Sequence, residues 1–223
     1  MLGWLPENVS TYGADIDWLF SVIQWITGVV FLGVIVAMIM FLVKYRRQEG
    51  RRALYTHGNT LLEITWTIVP AIILIVLFML SQATWWSIKG RQPSSDFQGR
   101  EFRVEVTAKQ FNWEVTYPGP DGQFGTPDDL MLENELHVPV NTVVLVTLRS
   151  KDVIHSFFLP NLRLKQDAVP GRDIPVWFEA TKPGKYELPC AELCGFGHSG
   201  MLGYLTVYSQ DDYLKWAKER WPS

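Results

Sequence analysis

The sequence predicts a membrane-anchored all-β domain: two N-terminal transmembrane helices, paired as a hairpin, followed by a Greek-key β-barrel. Three observations carry this prediction. Residues 18–43 and 64–86 contain no Asp, Glu, Lys or Arg, and each stretch exceeds the roughly 20 residues that cross a bilayer as a helix. Beyond residue 100 the pattern changes to short runs rich in β-branched and aromatic residues, bounded by Pro, Gly or Asn, which read as strands. A glycine-rich loop that holds the only two cysteines of the chain interrupts the last two of these runs.

Taken in order, Trp18, Trp25, Trp66, Trp85 and Trp86 lie near the ends of the apolar stretches, where tryptophan anchors helices at the membrane interface. Between the spans come Lys44, Arg46, Arg47, Arg51 and Arg52, whereas no Lys or Arg precedes Trp18. The positive-inside rule puts the 44–63 loop in the cytoplasm. Both termini and the β domain then lie on the outer, periplasmic side of the cell's inner (plasma) membrane, with two spans. The start of the chain has no basic segment running directly into a short apolar core and cleavage site. The first span is expected to act as its own targeting signal. The polar, Pro/Gly/Ser-rich residues 87–100 read as a link. The expected organisation is residues 1–93 for the spans and linker and residues 94–223 for the outer domain.

Within that domain, Phe102, Val104, Val106 and Ala108 alternate with polar residues, and Phe111, Trp113, Val115 and Tyr117 do so in a frame shifted by one. Such a shift predicts a bulge near Lys109 and Gln110. Residues 118–129 read as a hairpin loop. Its Asp121, Asp128 and Asp129 are of the type that binds a hard cation such as calcium, but their spacing does not fit an EF-hand, and a solvated acidic turn is the better reading. Further strands are expected at 143–148, 153–159, 174–179, 184–188 and 202–208, and a closing helix at 211–221. The formal charge is −3, and it resides in the outer domain because residues 1–86 are balanced. This weak acidity argues against nucleic acid and permits docking of a basic partner.

The chemistry concentrates in Cys190-Ala191-Glu192-Leu193-Cys194-Gly195-Phe196-Gly197-His198-Ser199-Gly200-Met201. Two thiols, an imidazole, a thioether and a carboxylate share one short loop. Pro189 and the three glycines disfavour a helix there. Val153-Ile154-His155 adds a second imidazole from a separate strand. Soft sulfur donors with imidazoles select copper over hard cations. A mononuclear site needs one cysteine; two can bridge two coppers. A disulfide between the cysteines is an alternative in an oxidising compartment. A zinc site of two Cys and two His is another, but it leaves Met201 unexplained. One ligand from a distant strand and the rest from the loop before the last strand match the layout of cupredoxin-like domains. His57 and His137 have no ligand-like context.

This loop resembles the binuclear copper (CuA) loop of cytochrome c oxidase subunit II. The resemblance extends to His155, to residues 165–172 (KQDAVPGR) and to the two-span hairpin. It implies that His155, Cys190, Cys194, His198 and Met201 are the side-chain ligands of two copper ions, and that Glu192 supplies a backbone carbonyl. It also implies that the Glu192 side chain reaches a magnesium ion shared with subunit I. The implied function is to accept electrons from an external donor, cytochrome c or another small redox protein, and to pass them to haem in subunit I. There oxygen is reduced to water, coupled to proton translocation. Haem would reside only in that partner, and subunit III is a further expected neighbour.

Three other positions draw attention. Glu63 stands at the cytoplasmic edge of the second span, where a carboxylate either favours the helix dipole or marks a proton route; the resemblance implies the mouth of a proton pathway. Phe111 occupies the place where the family usually carries the tryptophan through which electrons enter, and a phenylalanine offers no indole edge there. Trp113 is the nearest remaining indole, either an alternative entry point or core. The resemblance also sets Asp152 near the donor-docking face. A quinol-oxidase subunit of the same fold would lack the copper ligands. A copper-delivery protein would want exposed, exchangeable ligands. No Cys-X-X-Cys-His is present, so no haem c is attached to this chain.

Overall fold

A computed structural model describes residues 5–90 and 101–221. The chain divides into two units, one helical (residues 15–91) and one made of residues 2–14 and 92–223. In the helical unit, α1 (Gly13–Lys44) is 32 residues long. At 1.5 Å per residue it extends for about 48 Å, more than the hydrocarbon core of a bilayer. α2 (Thr60–Trp85) starts at Asn59, whose side-chain oxygen accepts a hydrogen bond from the Leu62 amide at 3.1 Å. This satisfies one of the orphan donors of the first turn. Thr65 and Thr67 return their hydroxyls to the carbonyls of Leu61 and Glu63, so these polar groups carry their own partners along the helix. Pro70 is accommodated inside α2, and no α2 side chain is buried. The apolar surfaces of both helices face outward within this chain, the pattern of helices covered by lipid or by another membrane subunit.

The β unit begins before α1. Residues 6–12 run beside the segment that follows the eighth strand. The Val9 amide donates to the Asn161 carbonyl (2.9 Å), and the Val9 carbonyl accepts from the Thr181 amide (2.8 Å). Arg163 donates to the Pro6 carbonyl, and Lys182 pairs with Glu7. Val9 itself is buried. The sequence reading grouped this segment with the membrane part; it packs with the β domain.

Among the described residues ten strands follow: β1 (Glu101–Lys109), β2 (Asn112–Tyr117), β3 (Leu130–Glu133), β4 (Glu135–Pro139), β5 (Val143–Ser150), β6 (His155–Leu159), β7 (Leu164–Ala168), β8 (Ile174–Glu179), β9 (Gly184–Pro189) and β10 (Leu202–Tyr208). One sheet has the order β3-β2-β1-β5-β8, a second β4-β10-β9, and β6-β7 form a separate hairpin. β1–β5 and β10–β4 are parallel pairs, and the other pairings are antiparallel. The period of two is explicit in the burial: Val104, Val106 and Ala108 of β1 point inward, with Val144, Val146 and Leu148 beside them on β5. Leu136 and Val138 of β4 meet Leu205 and Val207 of β10.

The frame shift at residues 109–111 is a tight hairpin rather than a bulge, because Lys109 pairs directly with Asn112 and only Gln110 and Phe111 turn. α3 (Gln210–Arg220) is capped by Ser209, which accepts from the Asp212 amide. It closes the domain by burying Trp216 flat against His137 of β4, with ring centroids 4.7 Å apart. Burial holds the His137 imidazole below its ordinary pKa, although Glu135 stands 3.3 Å away.

Candidate metal centre

The sulfur-rich loop connects β9 to β10 and is fixed at both ends. The Cys190 amide donates to the Met201 carbonyl at 3.0 Å, closing the loop on itself, and the Ala191 amide donates to the Ser156 carbonyl of β6 at 3.0 Å. These bonds bring the loop over the start of β6, where His155 is the first residue. Gly195 has φ +138, a conformation open to glycine and strained for other residues. A further half-turn, His198–Gly200, aims the last imidazole and delivers Met201 to the head of β10.

Six donor groups are gathered there. Cys190 Sγ and Cys194 Sγ are 3.9 Å apart, well beyond the ~2.05 Å of a disulfide. His155 Nδ1 lies 3.9 Å from Cys190 Sγ, and His198 Nδ1 lies 3.6 Å from Cys194 Sγ. Met201 Sδ is 3.9 Å from Cys194 Sγ, and the Glu192 carbonyl oxygen is 3.2 Å from Cys190 Sγ. The ligand atoms of His155, Cys190 and Cys194 all lie within 4.8 Å of one another. His155, Cys190, Cys194 and Met201 are buried. Each thiol thus has one imidazole and one further soft or carbonyl donor beside it. A structural zinc site would not recruit a buried thioether, whereas copper does. Burial and then the neighbouring Cys190 push the Cys194 thiol up to about 11. A metal must displace that proton, so loading strengthens as pH rises.

His155 is oriented from behind. Its Nε2 stands 2.8 Å from Asp152 Oδ1. The arrangement fits the tautomer with the proton on Nε2, leaving the Nδ1 lone pair facing the thiols. Asp152 also accepts from the Val153 amide on Oδ1 and from the Gln110 amide on Oδ2, each at 2.7 Å. Partial burial works against its charge, yet the hydrogen bonds from His155, Gln110 and Val153 hold its carboxyl below the usual range. Both oxygens are therefore committed inward. Gln110 completes the bracket by donating its side-chain amide to the Cys194 carbonyl at 2.5 Å. Sequence reasoning assigned Gln110 no role. It lies 84 positions from Cys194, and no local pattern signals the contact.

Phe111 is a surface residue whose ring lies on the loop; a Cβ at Gly197 would fall 2.5 Å from the ring, and one at Gly195 3.2 Å. Two of the loop glycines are thus required by this close approach. Trp113 is fully buried, 6.3 Å from the His155 ring and 5.7 Å from Phe157. Glu192 is exposed on the loop, and Glu63 is exposed in the first turn of α2. The acids of the 118–129 loop are engaged locally: Asp121 accepts from the Gln123 amide, Asp129 from the Gly125 amide and Asp128 from Thr126.

A β-sandwich with a buried dithiol, two imidazoles and a thioether at one end, carried behind two apolar helices, defines a membrane-anchored copper domain of the electron-transfer class. Family models match both parts: cytochrome c oxidase subunit II, periplasmic domain, over residues 103–206, and the corresponding transmembrane domain over residues 2–83. Cytochrome c oxidase subunit 2 of Thermostichus vulcanus is 32% identical, over 97% of this chain and 78% of its own length. The alternative cytochrome c oxidase subunit 2 of Bradyrhizobium diazoefficiens is 30% identical, over 97% of this chain and 83% of its own. The crystallised periplasmic domain of subunit II of the Bradyrhizobium japonicum oxidase is 32% identical, over 53% of this chain and 92% of that one, with a TM-score of 0.47. The chain belongs to the cytochrome c oxidase subunit II family. It is a membrane subunit of a haem–copper oxidoreductase, and its β domain is the cupredoxin-like copper domain of that family.

Proposed function

We propose that His155, Cys190, Cys194, His198 and Met201, with the Glu192 carbonyl, hold two copper ions that receive electrons from an external redox protein. The observation that carries this is the buried Cys190–Cys194 pair, 3.9 Å between sulfurs, with one imidazole beside each. Held by the two thiols and two imidazoles, such a copper pair would supply one-electron transfer with little structural change. The chain's part is to hold the donors rigidly: β6 and β10 fix His155 and Met201, and the Asp152–Gln110 bracket fixes His155 and the Cys194 carbonyl. Electrons enter over the surface formed by Phe111 and the loop, because Trp113 has no exposed surface. They leave to haem in subunit I, and subunit III joins the same assembly. The Glu192 side chain reaches towards a magnesium ion at the subunit I boundary, and Glu63 receives protons at the inner end of α2. The donor is cytochrome c or a small redox protein like it.

The placement of the domain outside the cytoplasm rests on two supports. The basic cluster 44–52 favours the inner side. The packing of residues 6–12 into the β unit requires the start of α1 and the β domain to be on one side of the membrane, as a two-span hairpin demands. A delivery protein is disfavoured because its ligands would have to be exposed, and here four of the five side-chain donors are buried.

The test is electron paramagnetic resonance of the full chain in detergent after copper loading. Two coppers per chain and a hyperfine pattern from one electron shared over two nuclei are expected. A four-line spectrum from a single copper would sink the binuclear assignment. The bracket has its own test. Asp152→Ala leaves the buried His155 Nε2 without its acceptor, at a cost of about 1–3 kcal/mol, and should weaken copper binding by about 10- to 100-fold in chelator competition. Unchanged affinity would show that Asp152 does not hold the imidazole.

A further inference from the structure

The far end of α1 joins an apolar groove to a cationic mouth. Val34, Ala37, Met38, Phe41, Leu42 and Tyr45 recur at the three- and four-residue spacing of one helix face. With Arg46 they line a groove of about 600 Å³. Ala37 carries the shortest side chain of the six and leaves the recess that its larger neighbours border. From Val34 to Tyr45 the helix rises about 16 Å, which matches the hydrocarbon depth of one leaflet, about 15 Å. Phe41 and Tyr45 wall the end nearest the loop, with ring centroids 5.8 Å apart, and the Lys44 ammonium lies over the Tyr45 ring at 5.5 Å.

The loop beyond the groove is basic, and its charge is not spent within the chain. Residues 44–59 carry Lys44, Arg46, Arg47, Arg51 and Arg52 against one acid, Glu49, a net charge of +4. All are exposed. Among the described residues, none of the four arginines makes an ion pair, with Glu49 or with any other acid. A turn folds the two arginine pairs back towards each other. The Arg51 amide donates to the Gln48 carbonyl at 3.3 Å, and Gly50 takes the positive φ, +78, that the third position of such a turn requires. Leu54 and Tyr55 follow, 90% and 87% exposed; apolar side chains beside a bilayer belong at the boundary of headgroups and acyl chains. The other end of α1 differs, with Asp15 and Asp17 and no Lys or Arg in its first turns. The cationic mouth therefore serves one leaflet only.

We propose that this groove seats an acyl chain of an anionic phospholipid of the inner leaflet, with the lipid phosphate held by Arg46 and Arg47. The proposal rests on the reading that puts the 44–63 loop inside the cell. Basic residues just inside a span attract anionic headgroups, and a guanidinium meets a phosphate with two parallel hydrogen bonds. Charge alone would hold such lipids loosely anywhere around the loop. The groove supplies a fixed seat, one leaflet deep, directly below the first arginine.

The experiment titrates the full chain in detergent with phosphatidylglycerol and, separately, with phosphatidylcholine of the same acyl chains, and reads the lipid bound per chain by native mass spectrometry. One phosphatidylglycerol should bind at least about tenfold more tightly than phosphatidylcholine. Arg46→Gln combined with Arg47→Gln should weaken it by about tenfold or more. Ala37→Leu fills the groove and leaves every charge in place, and should weaken it by about fivefold or more. Helix content should be unchanged in both variants, and inorganic phosphate at about tenfold excess should not displace the lipid. Equal affinity for the two lipids would overturn the proposal. Wild-type affinity in Ala37→Leu would also overturn it, leaving a basic surface without a seat. Displacement by inorganic phosphate would reduce the site to an anion site of the loop. The assembled oxidase purified from membranes should retain a phosphatidylglycerol that Ala37→Leu removes; if Ala37→Leu instead leaves the lipid content unchanged or releases a subunit, the groove is a subunit contact and the proposal falls. The topology is read separately, by labelling Gln48→Cys with a membrane-impermeant maleimide against the unsubstituted chain. Labelling from outside intact cells would fault the placement of the loop and the choice of leaflet, and not the lipid seat.

Discussion

Cys194→Ser should reduce copper uptake from two ions per chain to at most one and abolish the shared-electron spectrum, leaving the β domain folded. Cys194 Sγ has Cys190 Sγ, His198 Nδ1 and Met201 Sδ all within 3.9 Å. Serine is close in size, so the loop closure by the Cys190 and Ala191 amides need not change. A buried hydroxyl costs about 1–3 kcal/mol if unpaired, which a domain of this size tolerates. What serine cannot supply is a soft, polarisable anion able to join two coppers. Metal analysis and electron paramagnetic resonance on the purified variant check this. Two coppers with an unaltered spectrum would mean that Cys194 is no bridge and that the metals are held elsewhere. Cys190→Ser should behave alike, since its thiol faces His155 and the Glu192 carbonyl as Cys194 faces His198 and Met201.

The parts of this protein that sequence made legible are those whose signal is local. An uncharged stretch long enough to cross a bilayer announces α1 and α2 whatever they pack against. The donor loop is equally plain, because its residues stand within twelve positions and glycines mark its turns. The strands that went unread lack such a signal. β3 and β4 are built from Leu130-Met131-Leu132-Glu133 and Glu135-Leu136-His137-Val138-Pro139, in which only Val138 is β-branched, and pairing with β2 and β10 decides their state. β7 carries Lys165, Gln166 and Asp167 and is held as the partner of β6. The apparent bulge at residues 109–111 is a hairpin because a register shift by one has the same signature whether the chain kinks or reverses. The N-terminal segment looks like a short polar leader until its amides are seen pairing with Asn161 and Glu179. The Gln110–Asp152 bracket was hidden for the same reason: its members meet only after three segments far apart in sequence have folded together.

Trp113 separates a structural role from a redox one. Trp113→Ala should cost about 3–5 kcal/mol in denaturant unfolding of the β domain, the usual penalty for emptying a large buried aromatic site. Its ring has no exposed surface, meets His155 and Phe157 edge to face, and stands against Gly203, where a Cβ would come within 3.2 Å of it. Such a loss would blur any kinetic reading, so Trp113→Phe is the informative companion. The indole Nε1 is buried with no hydrogen-bond partner among the described residues, so phenylalanine breaks no hydrogen bond to them and keeps most of the packing. Its expected cost is about 1 kcal/mol. If electrons cross the Phe111 surface, Trp113→Phe should accept them from a reduced cytochrome at the wild-type rate. If the indole were the entry group, the rate would fall by tenfold or more while stability barely moved. The buried position favours the first outcome. A donor held against Phe111 is already in contact with the loop that carries the sulfurs, whereas the Trp113 ring has no exposed surface.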